Sequence, residues 1–130
     1  MRVLIADDSA IVRERLVTML SDLEGIEIVA QAADAEETVR IVNALEPDAV
    51  ILDIHMPKGN GLLVLEEIKR KYPSMTVIML TNYPYREYRK ICDELGADLF
   101  FDKSADFDLL PDTLLRLAHS SATPLKAVKP

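Results

Sequence analysis

The chain has 130 residues, is 49% hydrophobic and carries a net charge of −7, which leaves room for one domain around a single core. So acidic a surface argues against direct contact with nucleic acid, where affinity comes mainly from Lys and Arg displacing counterions from phosphates. The apolar runs fall far short of a membrane span and Met1-Arg2 leads straight into a strand-like run with no secretory h-region, so the expected location is the cytoplasm, with no membrane partner.

Five short apolar runs, at residues 3–6, 26–29, 49–52, 76–80 and 98–101, predict five strands. The first, third and fourth are continuous rather than alternating, as strands are when both faces are covered. Between them come helical patterns. Val12, Leu16, Met19 and Leu23 share one face of the first. Asp34 with Glu37 three residues on forms a capping-box pattern for the second, which carries Val39, Val42 and Leu45 and ends before Pro47. Leu62, Leu65 and Ile68 mark the third, which stops before Pro73; the fourth is expected to open with Pro84 in its first turn and close near Gly96. Pro111 is costly deep inside a helix, so a loose turn at residues 106–109 should precede a regular fifth helix over 110–119. Cys92, the only cysteine, lies in the fourth helical pattern, where a small buried hydrophobe is its expected role. Residues 120–130 contain no acidic residue and no clear periodicity and read as a tail or the start of a linker. Strand and helix alternate five times, which calls for a doubly wound three-layer α/β/α sandwich on a parallel sheet with right-handed crossovers.

The chemistry lies in the polar residues just past the runs: Asp7-Asp8 after the first, Asp53 after the third, Thr81 after the fourth, and Lys103 just beyond the fifth. In open parallel sheets ligands sit outside the carboxyl ends of the strands, where the strand order reverses. If the first and third strands are neighbours there, Asp7, Asp8 and Asp53 converge. Two carboxylates about 5 Å apart repel by roughly 3 kcal/mol at an effective dielectric near 20. Such a cluster holds a proton or a cation, and an all-oxygen set suits Mg²⁺ before Zn²⁺. With an ammonium from Lys103 and a hydroxyl from Thr81, the set describes a phosphoryl site.

The spacing of these residues, with His55-Met56-Pro57 after Asp53, Gly61 eight residues beyond it and Phe100 three before Lys103, resembles the response-regulator receiver family of two-component systems. The resemblance covers nearly the whole chain and implies a receiver domain over 1–119 with the flavodoxin-like sheet order 2-1-3-4-5. It further implies that Asp53 accepts a phosphoryl group from a sensor histidine kinase or a phosphotransfer protein. Asp7, Asp8, Asp53 and the backbone carbonyl of His55 would hold Mg²⁺, Lys103 would pair with a phosphoryl oxygen, and Thr81 and Phe100 would switch together. That switch would alter the surface of the fourth helix, fifth strand and fifth helix for a downstream protein target. On this view the chain is a phosphoacceptor with self-phosphorylation and autodephosphorylation chemistry, not an enzyme.

Each residue alone also has an ordinary explanation. Asp8 or Ser9 could cap the first helix, Asp53 and Thr81 could be turn residues, and Lys103 a solvated charge. Their coincidence at matching strand ends carries the site reading. Three departures from the family pattern stand out: Ser104 replaces a frequent proline after Lys103, so no cis bond is expected there, Asn82 replaces a small residue after Thr81, and Tyr83 follows it. Asn82, Tyr83 and His55 are expected to narrow access to Asp53. Tyr85, Tyr88 and Arg89 are of the types enriched at binding hot spots and form a candidate surface for a partner or a second copy. A stand-alone phosphorelay receiver is the favoured reading, because the chain ends at Pro130. The alternatives are the isolated receiver of a DNA-binding transcriptional regulator and an aspartyl-phosphate phosphatase. The latter needs a second Asp two positions after its nucleophile, which Asp7-Asp8-Ser9 does not supply.

Overall fold

The computed structural model describes residues 1–122. Five strands, β1 (Arg2–Ala6), β2 (Glu27–Ala32), β3 (Ala49–Leu52), β4 (Thr76–Thr81) and β5 (Leu99–Asp102), form one sheet. All pairings are parallel and the order is β2-β1-β3-β4-β5. Five helices connect or follow them: α1 (Ala10–Leu20), α2 (Ala35–Leu45), α3 (Gly61–Lys71), α4 (Arg86–Glu94) and α5 (Leu110–Ala122). This is the expected three-layer α/β/α architecture.

Successive strand side chains point to opposite faces, so each continuous apolar strand feeds two cores. Leu4, Ala6, Val50, Leu52, Val77 and Met79 pack with Val42 of α2, Val64, Leu65 and Ile68 of α3 and Cys92 of α4. Val3, Ile5, Ala49, Ile51, Ile78 and Leu80 pack with Leu16 and Leu20 of α1 and Leu110 and Leu114 of α5. The even and odd positions of a single run thus serve the two layers of helices.

Three helices begin with side-chain caps. Ser9 accepts from Val12 N–H at 3.2 Å, Asp34 from Glu37 N–H at 2.7 Å and Asn60 from Leu63 N–H at 3.0 Å. The capping box at Asp34 closes one residue early, with the Glu37 carboxylate accepting from Ala33 N–H at 2.7 Å.

Several boundaries differ from expectation. α1 ends at Leu20, so Leu23 lies in the turn leading to Gly25. β2 runs to Ala32 because its register with β1 skips Val29, with Val3 opposite Ile28 but Leu4 opposite Ala30. Pro84 lies outside α4, whose N-cap is Tyr85 with no side-chain cap bond. Asp98 precedes β5; its carboxylate instead accepts from Val77 N–H at 2.8 Å and pairs with Lys69. The loose turn before the fifth helix is a 3-10 turn over Phe107–Leu109, and Pro111 falls harmlessly in the first turn of α5. α5 continues past His119, its expected end, to Ala122, and residues 123–130 of the expected tail lie outside the described residues. There is no cis peptide bond among the described residues.

Candidate functional site

β1 and β3 lie side by side, and sheet hydrogen bonding carries on past both ends: Asp7 N–H donates to Ala32 O and Asp53 N–H to Ala6 O, each at 3.0 Å. This holds both acids at the carboxyl edge of the central strands. Asp7 is 2% and Asp53 5% exposed, whereas Asp8 is exposed. Carboxylate oxygens of Asp7, Asp8 and Asp53 lie within 4.8 Å of one another, a donor set of hard oxygens that fits a divalent ion of the Mg²⁺ type. The capping duty at α1 falls to Ser9, which leaves Asp8 without that structural role.

Lys103 joins the acids from just past the end of β5. Its Nζ lies 2.7 Å from Asp7 Oδ2 and 3.1 Å from Asp53 Oδ2, with the side chain 9% exposed. Lys103 N–H also donates to Thr81 O at 2.9 Å, tying the ends of β4 and β5. Burial pushes the Asp53 carboxyl above the usual carboxylate range; Lys103 opposes that rise and Asp7 adds to it. Burial lowers the Lys103 ammonium, but the hydrogen bond to Asp7 and the charges of both acids outweigh it and hold the pKa above the ordinary lysine value. The lysine is therefore a fixed cation, while ionised Asp53 is the strained partner.

Thr81 is fully buried and its Oγ1 accepts from Tyr83 N–H at 3.0 Å. Tyr83 carries a ring 4.1 Å from that of His55, and Tyr88 meets His55 edge-on at 5.5 Å. Tyr85 stacks on Tyr88 at 6.1 Å. Phe100 is half-buried beneath the guanidinium of Arg89, 4.4 Å from its ring centroid. The three tyrosines and His55 thus make one aromatic shelf between the β3–α3 loop and the start of α4, while Arg89 and Phe100 pair across α4 and β5. Asn82 is exposed and lines a cleft with Lys103 and Ser104.

The model of the response regulator receiver domain matches residues 3–115. This chain belongs to the response regulator receiver family. It shares 36% identity over 119 residues with the oxygen regulatory protein NreC of Staphylococcus haemolyticus, covering 91% of this chain and 52% of that protein. It shares 36% over 96 residues with a protein-glutamate methylesterase/protein-glutamine glutaminase of Alkalilimnicola ehrlichii, covering 74% of this chain and 24% of that one. The receiver thus spans about a quarter to a half of the length of these relatives. Among solved structures, the CheX–CheY–BeF3–Mg²⁺ complex from Borrelia burgdorferi matches with a TM-score of 0.81 and 31% identity over 95% of this chain and 90% of that one.

Two features of this receiver's site escape sequence reasoning. Arg13 donates from Nη1 to the backbone carbonyl of Asp7 at 2.7 Å and so pins the β1–α1 turn that carries Asp8. Its place in the first turn of α1 is legible, its target is not. Gly61 enters the sequence pattern only through its spacing from Asp53. A Cβ on it would collide with the Asp53 carbonyl oxygen, so α3 begins against the backbone of the central acid and only glycine fits.

Proposed function

We propose that this receiver takes a phosphoryl group onto Asp53 and signals through the surface around α4. A carboxylate oxygen of Asp53 attacks phosphorus; the bond from phosphorus to a histidine nitrogen of a sensor kinase or phosphotransfer protein breaks, and its electron pair leaves with the imidazole. Asp7, Asp8, Asp53 and the His55 carbonyl would hold Mg²⁺, which would supply charge neutralisation for the phosphoryl oxygens. Lys103 releases the carboxylates to pair with the incoming oxygens. The observation that carries this reading is the three-acid cluster with Lys103 bonded across two of its members.

Thr81 and Phe100 are the proposed switch pair. Rotation of Thr81 toward the phosphoryl group gives up the bond from Tyr83 N–H, and the movement reaches the ring that Tyr83 packs on His55. Phe100 follows and changes what lies beneath Arg89. Tyr85, Tyr88 and Arg89 then face a downstream protein or a second copy, with no direct role for nucleic acid. His55, Asn82 and Tyr83 narrow access of donor and water to Asp53, slowing both arrival and loss of the phosphoryl group. No described helix is long and apolar enough to cross a membrane, which is compatible with work in the cytoplasm.

The first reading of output is a stand-alone phosphorelay protein. The second is a receiver within a DNA-binding regulator; the matched region makes up about half of the oxygen regulatory protein NreC, which leaves room there for a further domain. The receiver match over residues 3–115 weighs against the phosphatase reading. The test is intact-mass measurement after incubation with Mg²⁺ and acetyl phosphate. Wild type should gain one phosphoryl mass and Asp53→Asn none; no adduct on wild type, or an equal adduct on the variant, refutes it.

A further inference from the structure

Beside Lys103 lies a cleft of about 370 Å³ lined by Arg15, Asn82, Ser104, Phe107 and Asp108 among others. Arg15 reaches it from α1, its guanidinium seated 4.2 Å from the ring centroid of Phe107, which is itself buried at 5% exposure. A planar cation on a fixed ring keeps its direction at little cost in side-chain freedom. Among the described residues Arg15 makes no ion pair, whereas the charge of Lys103 is already committed to Asp7 and Asp53. The cleft thus holds one uncommitted cation, with Asn82 and Ser104 as polar neighbours and Asp108 as the opposing charge.

In-line transfer puts the leaving group on the far side of phosphorus from the attacking oxygen. With the attacking oxygen on buried Asp53, the leaving group points outward from the acids, and Lys103, bonded to Asp53 at its ammonium, also lines the cleft. Resting on the proposed acceptor role of Asp53, we propose that this cleft is a leaving-group subsite for small acyl phosphates, with Arg15 pairing with the carboxylate that departs. The Asp53 oxygen forms a bond to phosphorus; the bond from phosphorus to the acyl oxygen breaks, and its electron pair leaves as the carboxylate anion without any proton being needed. The negative charge grows on that oxygen as the bond breaks, so a fixed guanidinium favours the transition state over the bound donor. A donor that releases a neutral amine draws no such benefit.

The test uses acetyl phosphate, which releases acetate, and phosphoramidate, which releases ammonia, each with Mg²⁺ and the full chain. Rates of adduct formation on Asp53 are followed by intact mass, and the quantity read is the acetyl phosphate to phosphoramidate ratio of second-order rate constants. Arg15→Met keeps the stem on Phe107 and removes the charge; it should lower the ratio about tenfold, the usual scale of one charge-assisted contact. Arg15→Lys should restore most of it, and added salt should lower the wild-type ratio toward that of Arg15→Met. A ratio that Arg15→Met leaves within about twofold of wild type, with both donors still labelling Asp53, overturns the subsite alone. Failure of both donors to label wild-type Asp53 overturns the acceptor reading and the subsite with it.

Discussion

Replacing Gly61 with alanine sets helix propensity against sterics at one position. Gly61 is the first residue of α3 and has no positive φ, so alanine suits the backbone there and propensity alone would stabilise the helix by up to about 1 kcal/mol. Against this, the new Cβ would collide with the Asp53 carbonyl oxygen and stand 2.9 Å from both the Asp53 carbonyl carbon and Ile54 Cα, well inside the roughly 3.5 Å at which carbon contacts become favourable. Both neighbours are backbone at the end of a central strand, so neither yields as a side-chain tip would. Retreat of α3 would also stretch the 2.6 Å bond from Gly61 N–H to Ile54 O, worth about 1 kcal/mol. Overpacking of this kind costs about 1–3 kcal/mol, so the expected net loss is about 1–3 kcal/mol. Urea unfolding without metal reads it directly. Because the clash lies on Asp53, Mg²⁺ affinity should fall in the same variant, measured by titration calorimetry. A variant as stable as wild type or more so would show that propensity wins and that the close approach is not rigid.

Three further outcomes are expected. The Asp53 pKa is raised by burial, so its proton is held more tightly in the folded chain; the associated stability is full below the unfolded value of about 3.9 and is lost as pH rises through the folded value. Metal-free Asp53→Asn should therefore be more stable than wild type at pH 7, with the gap narrowing toward pH 4; a gap that stays constant in paired denaturation curves would contradict this. Cys92 is fully buried, with its thiol pushed up to about 11, so about one thousandth is thiolate at pH 8. Disulfide reagents should label the native chain at least ~100-fold more slowly than the urea-unfolded chain, and equal rates would rule out the burial. Glu46 caps α2 with φ 43, a left-handed conformation that favours glycine. Glu46→Gly should stabilise the chain by about 0.5–1 kcal/mol in thermal or urea unfolding; a loss would mean that the side chain contributes more than the strain costs.

The architecture is legible because the strands are buried on both faces and so read as continuous apolar runs, and because Asp34, Pro47 and Pro73 punctuate the helices. Boundaries slip where tertiary pairing overrides local pattern: the skipped Val29 carries β2 on to Ala32, and Tyr85 rather than the residue before Pro84 is the α4 N-cap. Asp7, Asp8, Asp53, Thr81 and Lys103 are legible as residues that end or follow strands, since topology alone brings strand ends together. What no spacing rule reveals is contact between elements far apart in sequence. The reach of Arg13 to the Asp7 carbonyl, the seat of Arg15 on Phe107 and the shelf joining His55 to Tyr83 all depend on which helix faces which loop.

The bridge from Lys103 to Asp7 and Asp53 means that the acidic pocket is never bare. The ammonium acts as a built-in counter-ion to two of the three acids, so an entering metal would have to compete with it for Asp7 and Asp53. A sodium or potassium ion would bring no more charge than the lysine already supplies and gains nothing by displacing it; a divalent ion brings twice as much. The lysine thereby sets a threshold of ionic charge for entry, and a chain carrying Lys103→Met should lose that discrimination, its Mg²⁺ binding becoming open to competition by sodium or potassium at the acid cluster.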